Sequence, residues 1–205
     1  MLPDTITGPR IVAIARGLDP ARLDRIATGL VGGGVRAFEV TLDSPGAVEA
    51  IRQLVASHGP RGLLIGAGTI LDLQDAEAAV RAGAGFLVSP HTDPAIIGWA
   101  VGHGVPVLPG AATPTEILTA WRAGATAVKV FPASALGPGF VREVRGPLPE
   151  VPLLATGGIT PDTGPAFIAA GAVAVGVGSW LTGDGEPEGI AARAVQLVGA
   201  LAPAG

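Results

Sequence analysis

One pattern recurs along this chain of 205 residues and restricts its fold: an amphipathic stretch ends at a glycine, and a short apolar, β-branched run follows. The glycine is typical of a helix C-terminus, and the continuous apolar run is typical of a strand buried on both faces. Helices are predicted, for example, over 72–82, 114–123 and 188–201. The predicted strands cover 11–15, 35–42, 63–68, 86–89, 106–109, 126–131, 153–157 and 172–178.

The spacing of the predicted strand ends supports this repetition. Gly68, Ser89, Gly110 and Phe131 follow one another at intervals of 21 residues, which is enough for one strand, one helix and two short loops. Eight strand–helix units favour a closed (β/α)8 TIM barrel, a single domain over residues 1–205. Such barrels usually take about 250 residues, so we expect the chemistry to come from strand ends and short loops.

Charge and composition argue against several classes of partner. A net charge of −4 and a pI near 5.3 predict no nucleic-acid or membrane partner. Every apolar run is interrupted well before a membrane span, and the N-terminus lacks the features of a signal peptide, so we expect a cytoplasmic protein. The absence of cysteine excludes disulfides and thiol nucleophiles, and three scattered histidines predict no metal site.

Lys129 is the single lysine among thirteen basic residues, and it falls inside the apolar sixth strand. Burying an unpaired ammonium is costly, so this position requires either a partner or a function. Burial disfavours the charged form of an amine and leaves the neutral form available for attack on a ketone carbonyl. The pattern predicts a Schiff-base lysine; the alternative is a structural ion pair.

Glu39 lies on the second predicted strand, where alternation places it on one face with Thr41. We expect that face to point into the mouth of the barrel. Cleavage of a carbon–carbon bond beside a ketone needs a base for the hydroxyl proton and later an acid for the enamine carbon, and one carboxylate can serve both steps. The alternative role for Glu39 is neutralisation of the Lys129 charge.

Two glycine-containing turns follow the last two strands, where many barrels bind phosphate through backbone N–H groups. Gly157 and Gly158 follow strand seven, and Gly178 and Ser179 follow strand eight. Glycine lets the backbone approach an anion closely, but tight turns in a glycine-rich chain use the same residues. We predict that the two turns bind one phosphate.

Polar residues at other strand ends are candidates for binding a carboxylate. Arg16 at the end of strand one can hold a carboxylate with two hydrogen bonds, or it can be solvated in a loop. Thr69 can bind the same carboxylate or begin the next helix as a cap. Asp43, His91 and Ser134 also lie near strand ends, and their roles stay open.

Together these segments resemble the pyruvate-forming aldolases for 2-keto-3-deoxy-6-phosphogluconate (KDPG), its galactonate epimer (KDPGal) and 4-hydroxy-2-oxoglutarate (KHG). The resemblance covers nearly the whole chain, and its specificity comes from the order of several short motifs. The motifs are Ile14-Ala15-Arg16-Gly17, Phe38-Glu39-Val40-Thr41, Ile65-Gly66-Ala67-Gly68-Thr69, Val88-Ser89-Pro90, Pro109-Gly110, Val128-Lys129-Val130-Phe131-Pro132, Thr156-Gly157-Gly158 and Val177-Gly178-Ser179.

The resemblance implies a class I aldolase that binds a phosphorylated keto acid and pyruvate, needs no cofactor and forms a homotrimer. Lys129 corresponds to the Schiff-base lysine and Glu39 to the general acid and base. The residues that correspond to the keto-acid site are Arg16, Thr69 and Pro90, and those that correspond to the phosphate site are Gly157, Gly158, Gly178 and Ser179.

Asp43 departs from the gluconate-type pattern, in which an arginine often occupies this position, so Arg16 would have to supply the carboxylate contact. Segments 42–45 and 131–138 look closer to the galactonate type, whereas the Thr156 motif is at least as close to the gluconate type. The preferred epimer stays open, as does activity on 4-hydroxy-2-oxoglutarate. Two further alternatives are a sugar-phosphate epimerase or isomerase and a non-catalytic ligand-binding barrel.

Overall fold

The computed structural model describes residues 1–183 and 186–202 and shows a parallel barrel with helices between the strands. Strand pairing follows the chain order, and every pair is parallel. This confirms the predicted fold class. The strands are β1 (Ile11–Ala15), β2 (Ala37–Thr41), β3 (Leu64–Gly68), β4 (Leu87–Val88), β5 (Val107–Leu108), β6 (Gly110–Ala111), β7 (Val128–Val130), β8 (Leu153–Thr156) and β9 (Ala174–Val177).

The fifth predicted strand is divided, because Pro109 separates β5 from β6. Proline has no N–H to donate, so it interrupts the ladder at one position. The Pro109 carbonyl still accepts a hydrogen bond of 2.8 Å from the Lys129 N–H. Since β5 pairs with β4 and β6 pairs with β7, the two segments together close the barrel. The prediction that this strand ends at Pro109 is therefore wrong; it continues to Ala111.

The helices lie between the strands, and several begin at residues that accept a hydrogen bond from the first turn. Thr113 and Glu116 form a reciprocal capping box, and Asp19, Asp72 and Asp93 cap other helices. The helices are α1 (Asp4–Thr7), α2 (Pro20–Gly32), α3 (Ala47–His58), α4 (Leu73–Arg81), α5 (Pro94–Gly102), α6 (Pro114–Arg122), α7 (Ala133–Arg145, interrupted at Gly137), α8 (Gly164–Ala169), α9 (Ser179–Thr182) and α10 (Pro187–Leu201).

None of the helices in 1–183 and 186–202 has the length and apolar character needed to cross a membrane. The larger apolar core lies between the strands and the helices around them. A smaller core fills the barrel interior at the N-terminal ends of the strands, where Leu2 and Ile6 from the α1 segment pack on Val12, Phe86 and Leu108. The one-turn helix α1 therefore closes this end, so the polar site has to lie at the other.

Glycine in the barrel interior leaves room for larger neighbours. A Cβ built on Gly66 would overlap the Phe86 ring, which is completely buried beside it. In an interior packed as densely as a crystal, an additional methyl group has to displace its neighbours. Packing against the Phe86 ring therefore restricts position 66 to glycine.

We expect Gly66→Ala to lower the free energy of unfolding by about 1–3 kcal/mol, because the new methyl group would overpack the Phe86 ring. The matched control is Gly199→Ala in α10, where a Cβ has no neighbour within 4 Å and alanine improves helix propensity by about 0.5–1 kcal/mol. Urea unfolding of both variants measures the difference. Equal stability of the two variants would show that the Phe86 packing does not restrict this position.

Candidate active site

A cavity of about 500 Å³ opens at the C-terminal ends of the strands. This is the face of a parallel barrel where loops bring side chains from different strands together. Six of the nine predicted site residues are among those that line it. The lining residues are Ile14, Arg16, Leu18, Lys129, Phe131, Thr156, Gly157, Gly158, Ile159, Thr160, Gly176, Gly178, Ser179, Trp180, Thr182 and Gly183.

Lys129 is the middle residue of β7 and reaches the inner end of this cavity. Its flanking residues, Val128 and Val130, are completely buried and belong to the core outside the strands, so alternation turns Lys129 inward. The lysine is only 4% exposed. Its Nζ lies 5.1 Å from the centroid of the Phe131 ring, within cation–π distance. The amine therefore lies in a shielded, partly aromatic environment that opens into the cavity.

Glu39 on β2 is 2% exposed, and its Oε1 has no hydrogen-bond partner among the described residues. Burial raises the pKa of its carboxyl group above the ordinary value of 4.5. Lys129 and then Arg16 oppose this increase in the pKa through their positive charge, while Asp43 adds to it. The carboxyl group is thus coupled to the lysine across the barrel and has an oxygen available for a ligand.

The position of the Glu39 carboxyl group depends on a glycine in the neighbouring strand. Glu39 pairs with Gly66 in the β2–β3 register, and its carboxyl oxygen lies over Gly68. A Cβ on Gly68 would overlap Oε1. The Gly-Ala-Gly segment at the end of β3 therefore leaves the space that a buried carboxyl group needs.

Arg16, Asp43 and Thr69 form one hydrogen-bonded group at the rim. Arg16 Nη1 donates to Asp43 Oδ2 at 2.7 Å, and Nη2 donates to Thr69 Oγ1 at 3.1 Å. Thr69 has a φ of 57°, a left-handed conformation that is unusual for a β-branched residue and is frequent at functional sites. The cap of α4 is Asp72, so the alternative role for Thr69 as a helix cap is wrong.

The two glycine turns follow the neighbouring strands β8 and β9, and both line the cavity. Gly157 and Gly158 have φ values of 107° and 70°, which glycine adopts readily. The Ser134 N–H donates to the Gly157 carbonyl at 3.1 Å, and a Cβ on Gly158 would lie 2.8 Å from that of Ser134. The first turn of α7 therefore supports the turn after β8.

The sequence assigned Thr156 no role of its own within the Thr156-Gly157-Gly158 motif, yet its Oγ1 is buried beside the cavity without a partner among the described residues. Gly176 on β9 makes room for it, since a Cβ there would overlap Oγ1. The threonine lies at the end of β8, a position that could have drawn attention, but the glycine pair after it gave the stronger signal. Buried hydroxyl groups are normally hydrogen-bonded, so Thr156 Oγ1 is available to a molecule bound in the cavity.

Three predicted residues do not line the cavity directly. Glu39 lies beneath it, and Thr69 is linked to it through Arg16. Pro90 lies outside the set of described residues that line it, and its carbonyl oxygen packs closely on Gly110 instead. His91 is exposed, and its carbonyl accepts a hydrogen bond from the Ser89 hydroxyl. The structure therefore does not place Pro90 or His91 on the cavity wall.

Comparison with known proteins gives consistent results. Residues 3–197 match the family described as KDPG and KHG aldolase. The 2-dehydro-3-deoxy-6-phosphogalactonate aldolase of Escherichia coli K12 is 37% identical over 177 residues, 86% of each chain. A native KDPGal structure superposes with a TM-score of 0.88 at 36% identity, covering 93% of both chains. The structure of the Legionella pneumophila KDPG aldolase, with pyruvate captured as a covalent carbinolamine, has a TM-score of 0.79 at 25% identity. The match covers 98% of this chain and 97% of that one.

The raised pKa of Glu39 predicts a stability cost at neutral pH. The folded protein binds this proton more tightly than the unfolded chain, so wild-type stability falls as the pH rises from about 4.5 through the raised pKa. Glutamine resembles the protonated carboxyl group. We therefore expect Glu39→Gln to match the wild type near pH 4 and to exceed it at pH 7 in urea unfolding. Glu77→Gln on the exposed face of α4 is the control, and a difference that grows toward low pH would contradict the assignment.

Proposed function

The chain belongs to the KDPG and KHG aldolase family, and on that premise we propose that Lys129 forms the Schiff base through which this aldolase acts. The proposed reaction cleaves a 2-keto-3-deoxy-6-phospho sugar acid to pyruvate and glyceraldehyde 3-phosphate. One observation carries the proposal: Lys129 lines the cavity, and its charge acts on the buried carboxyl group of Glu39, whose Oε1 has no hydrogen-bond partner among the described residues. The relative captured with pyruvate as a carbinolamine supports the same chemistry.

The reaction begins when the Lys129 amine adds to the C2 ketone. The resulting carbinolamine takes up a proton and loses water to form a protonated imine. Glu39 takes the C4 hydroxyl proton, the C3–C4 bond breaks, and its electron pair moves to C3 as an enamine while the aldehyde leaves. Glu39 then returns the proton to C3, and hydrolysis releases pyruvate and the lysine. The imine is the electron sink, so this route needs no cofactor.

Glu39 is suited to both proton transfers because burial raises the pKa of its carboxyl group toward working pH. A general acid and base is most effective when its pKa lies near the pH at which it acts. Its Oε1 has no hydrogen-bond partner in the described part of the chain, so it can accept the hydroxyl proton directly. Charge balance with Lys129 is compatible with this role.

The two ends of the substrate would bind at opposite sides of the lysine. Arg16 and Thr69 would hold the C1 carboxylate, and the turns at Gly157–Gly158 and Gly178–Ser179 would hold the phosphate. The Thr156 hydroxyl group would donate a hydrogen bond to a substrate oxygen that lies between the carboxylate and the phosphate. Pro90 was also predicted in the keto-acid site, but its position against Gly110 gives it no direct contact role in this proposal.

The quaternary structure and location are proposed on the family resemblance. The residues at the rim are held by contacts within one chain, and a homotrimer would repeat this site in each subunit. We propose a homotrimeric, cytoplasmic enzyme of one domain. Galactonate-type and gluconate-type relatives both match, so we propose no preference between the two epimers.

Lys129 and Glu39 would act in different steps, which makes their variants distinguishable. Lys129→Ala should abolish both turnover and borohydride trapping of pyruvate on the protein. Glu39→Gln should slow cleavage by roughly 10²- to 10⁴-fold, as for the loss of a general acid and base, and still allow trapping. Pyruvate release in a coupled dehydrogenase assay and the mass of the trapped protein measure the two effects.

Lys129→Arg is the charge-matched control, because it keeps a cation but cannot form an imine. Trapping on the Lys129→Ala variant would place the Schiff base elsewhere. Full activity of Glu39→Gln would show that Glu39 is not the general acid and base, and its remaining role would be to balance the charge of Lys129.

The phosphate assignment predicts a preference for 6-phosphorylated substrates over 4-hydroxy-2-oxoglutarate. Gly178→Ala tests it, because the nearest atom to a new Cβ is 3.9 Å away and the methyl group has room. The methyl group would occupy the anion site, and losing one or two charge-assisted hydrogen bonds would lower kcat/KM by about one to three orders of magnitude. The unphosphorylated acid should be affected much less.

The measurement compares kcat/KM for the gluconate-derived, galactonate-derived and oxoglutarate substrates in the wild type and in Gly178→Ala. Gly158 is a poorer test position, because a side chain there would also meet Ser134. Gly199→Ala on α10 serves as the control for an added methyl group. Equal or better wild-type activity on the unphosphorylated acid would exclude the phosphate site.

A further inference from the structure

The rim contact between Arg16 and Asp43 is not imposed by burial. Their side chains are 54% and 41% exposed, so both have room to point into solvent instead. Arg16 nevertheless donates to Asp43 Oδ2 at 2.7 Å and to Thr69 Oγ1 at 3.1 Å. The guanidinium group is thereby held between the loops after β2 and β3, at the edge of the cavity that contains Lys129.

The backbone on both sides of Arg16 is held by the same part of the chain. The Gly17 N–H donates to Ser44 Oγ at 2.8 Å, and the Thr41 hydroxyl donates to the Ala15 carbonyl at 3.1 Å. The Thr41 and Ser44 oxygens lie 3.3 Å apart and link the two contacts. The end of β2 and its loop thus hold the backbone before and after Arg16, and Asp43 from this loop holds the side chain.

From this arrangement we propose that Asp43 is a positioning residue that orients Arg16 for the substrate carboxylate. The inference rests on the carboxylate-binding role proposed above for Arg16. A free arginine side chain loses about 2 kcal/mol of rotamer entropy when it is fixed. Asp43 and Thr69 fix it before substrate arrives. The guanidinium group has five N–H donors, so two occupied positions leave donors for a carboxylate.

Asp43 could instead compete with the substrate for Arg16, and this role predicts the opposite change in KM. If the Asp43 carboxylate competed with the substrate carboxylate for Arg16, removing it would strengthen binding. If it orients Arg16, removing it weakens binding. The direction of the change in KM therefore separates the two roles.

The test compares Asp43→Ala and Asp43→Asn with the wild-type enzyme. For Asp43→Ala we expect KM and the pyruvate concentration for half-maximal borohydride trapping to increase about 2- to 5-fold, because the Arg16–Asp43 pair is half-exposed. We expect kcat to change less than about 2-fold, because the carboxylate contact is the same in the ground and transition states. Asp43→Asn should recover part of the loss, since its amide oxygen still accepts from arginine.

A double-mutant cycle attributes the effect to Arg16. In an Arg16→Ala background, Asp43→Ala should cause no further change in KM. Glu77→Gln, which removes the exposed Arg81–Glu77 pair at 3.2 Å in α4, is the matched control and should leave kinetics unchanged. A lower or unchanged KM in Asp43→Ala, or a full effect in the Arg16→Ala background, overturns the positioning role.

This outcome is distinguishable from failure of the proposed function. Loss of the positioning role would leave imine trapping on Lys129 and wild-type turnover in place. If Arg16→Ala itself has no effect on KM, the carboxylate site is wrong and the role of Asp43 fails with it. Absence of trapping on wild-type Lys129 would instead overturn the reaction mechanism.

Discussion

The burial of two opposite charges, on Lys129 and Glu39, inside a closed barrel is the constraint to which the surrounding structure is adapted. The Glu39 carboxylate loses most of its hydration there, and the positive charge of Lys129 recovers only part of that free energy. The direction of the Glu39 pKa shows that desolvation is the larger effect. Much of the surrounding sequence can be understood as making this arrangement possible.

The two ends of the barrel interior differ in the size of the side chains that fill them. At the N-terminal end, Phe86 and Leu108 fill the interior, and the α1 segment covers them. At the C-terminal end the interior positions include Gly68 and Gly176, each of which leaves space for a polar side chain on a neighbouring strand. The apolar end supplies stability by burial of surface, and the other end uses the space for polar groups.

The strands and the central lysine could be predicted from the sequence, because they depend on a repeated pattern and on a rare residue type. Contacts between loop side chains could not be predicted. Repetition located the strands, and a single lysine within one of them identified Lys129. The Arg16–Asp43 contact could not be derived, because loop residues follow no fixed alternation. The α1 segment has one turn, too few residues for a pattern. The sequence predicted a strand end at Pro109, because a proline can either end a strand or interrupt its hydrogen bonding at one position, and the sequence does not distinguish the two cases.

The same division at Pro109 affects how the protein meets other chains. A sheet with a free edge presents a row of unpaired amides to which a foreign strand can add, and closure of the barrel removes that edge. At the β5–β6 junction a residue without an N–H occupies the strand that closes the barrel. Pro109 is buried, and its neighbours pair with β4 on one side and with β7 on the other, so the described strands offer no free edge to which a foreign strand could add.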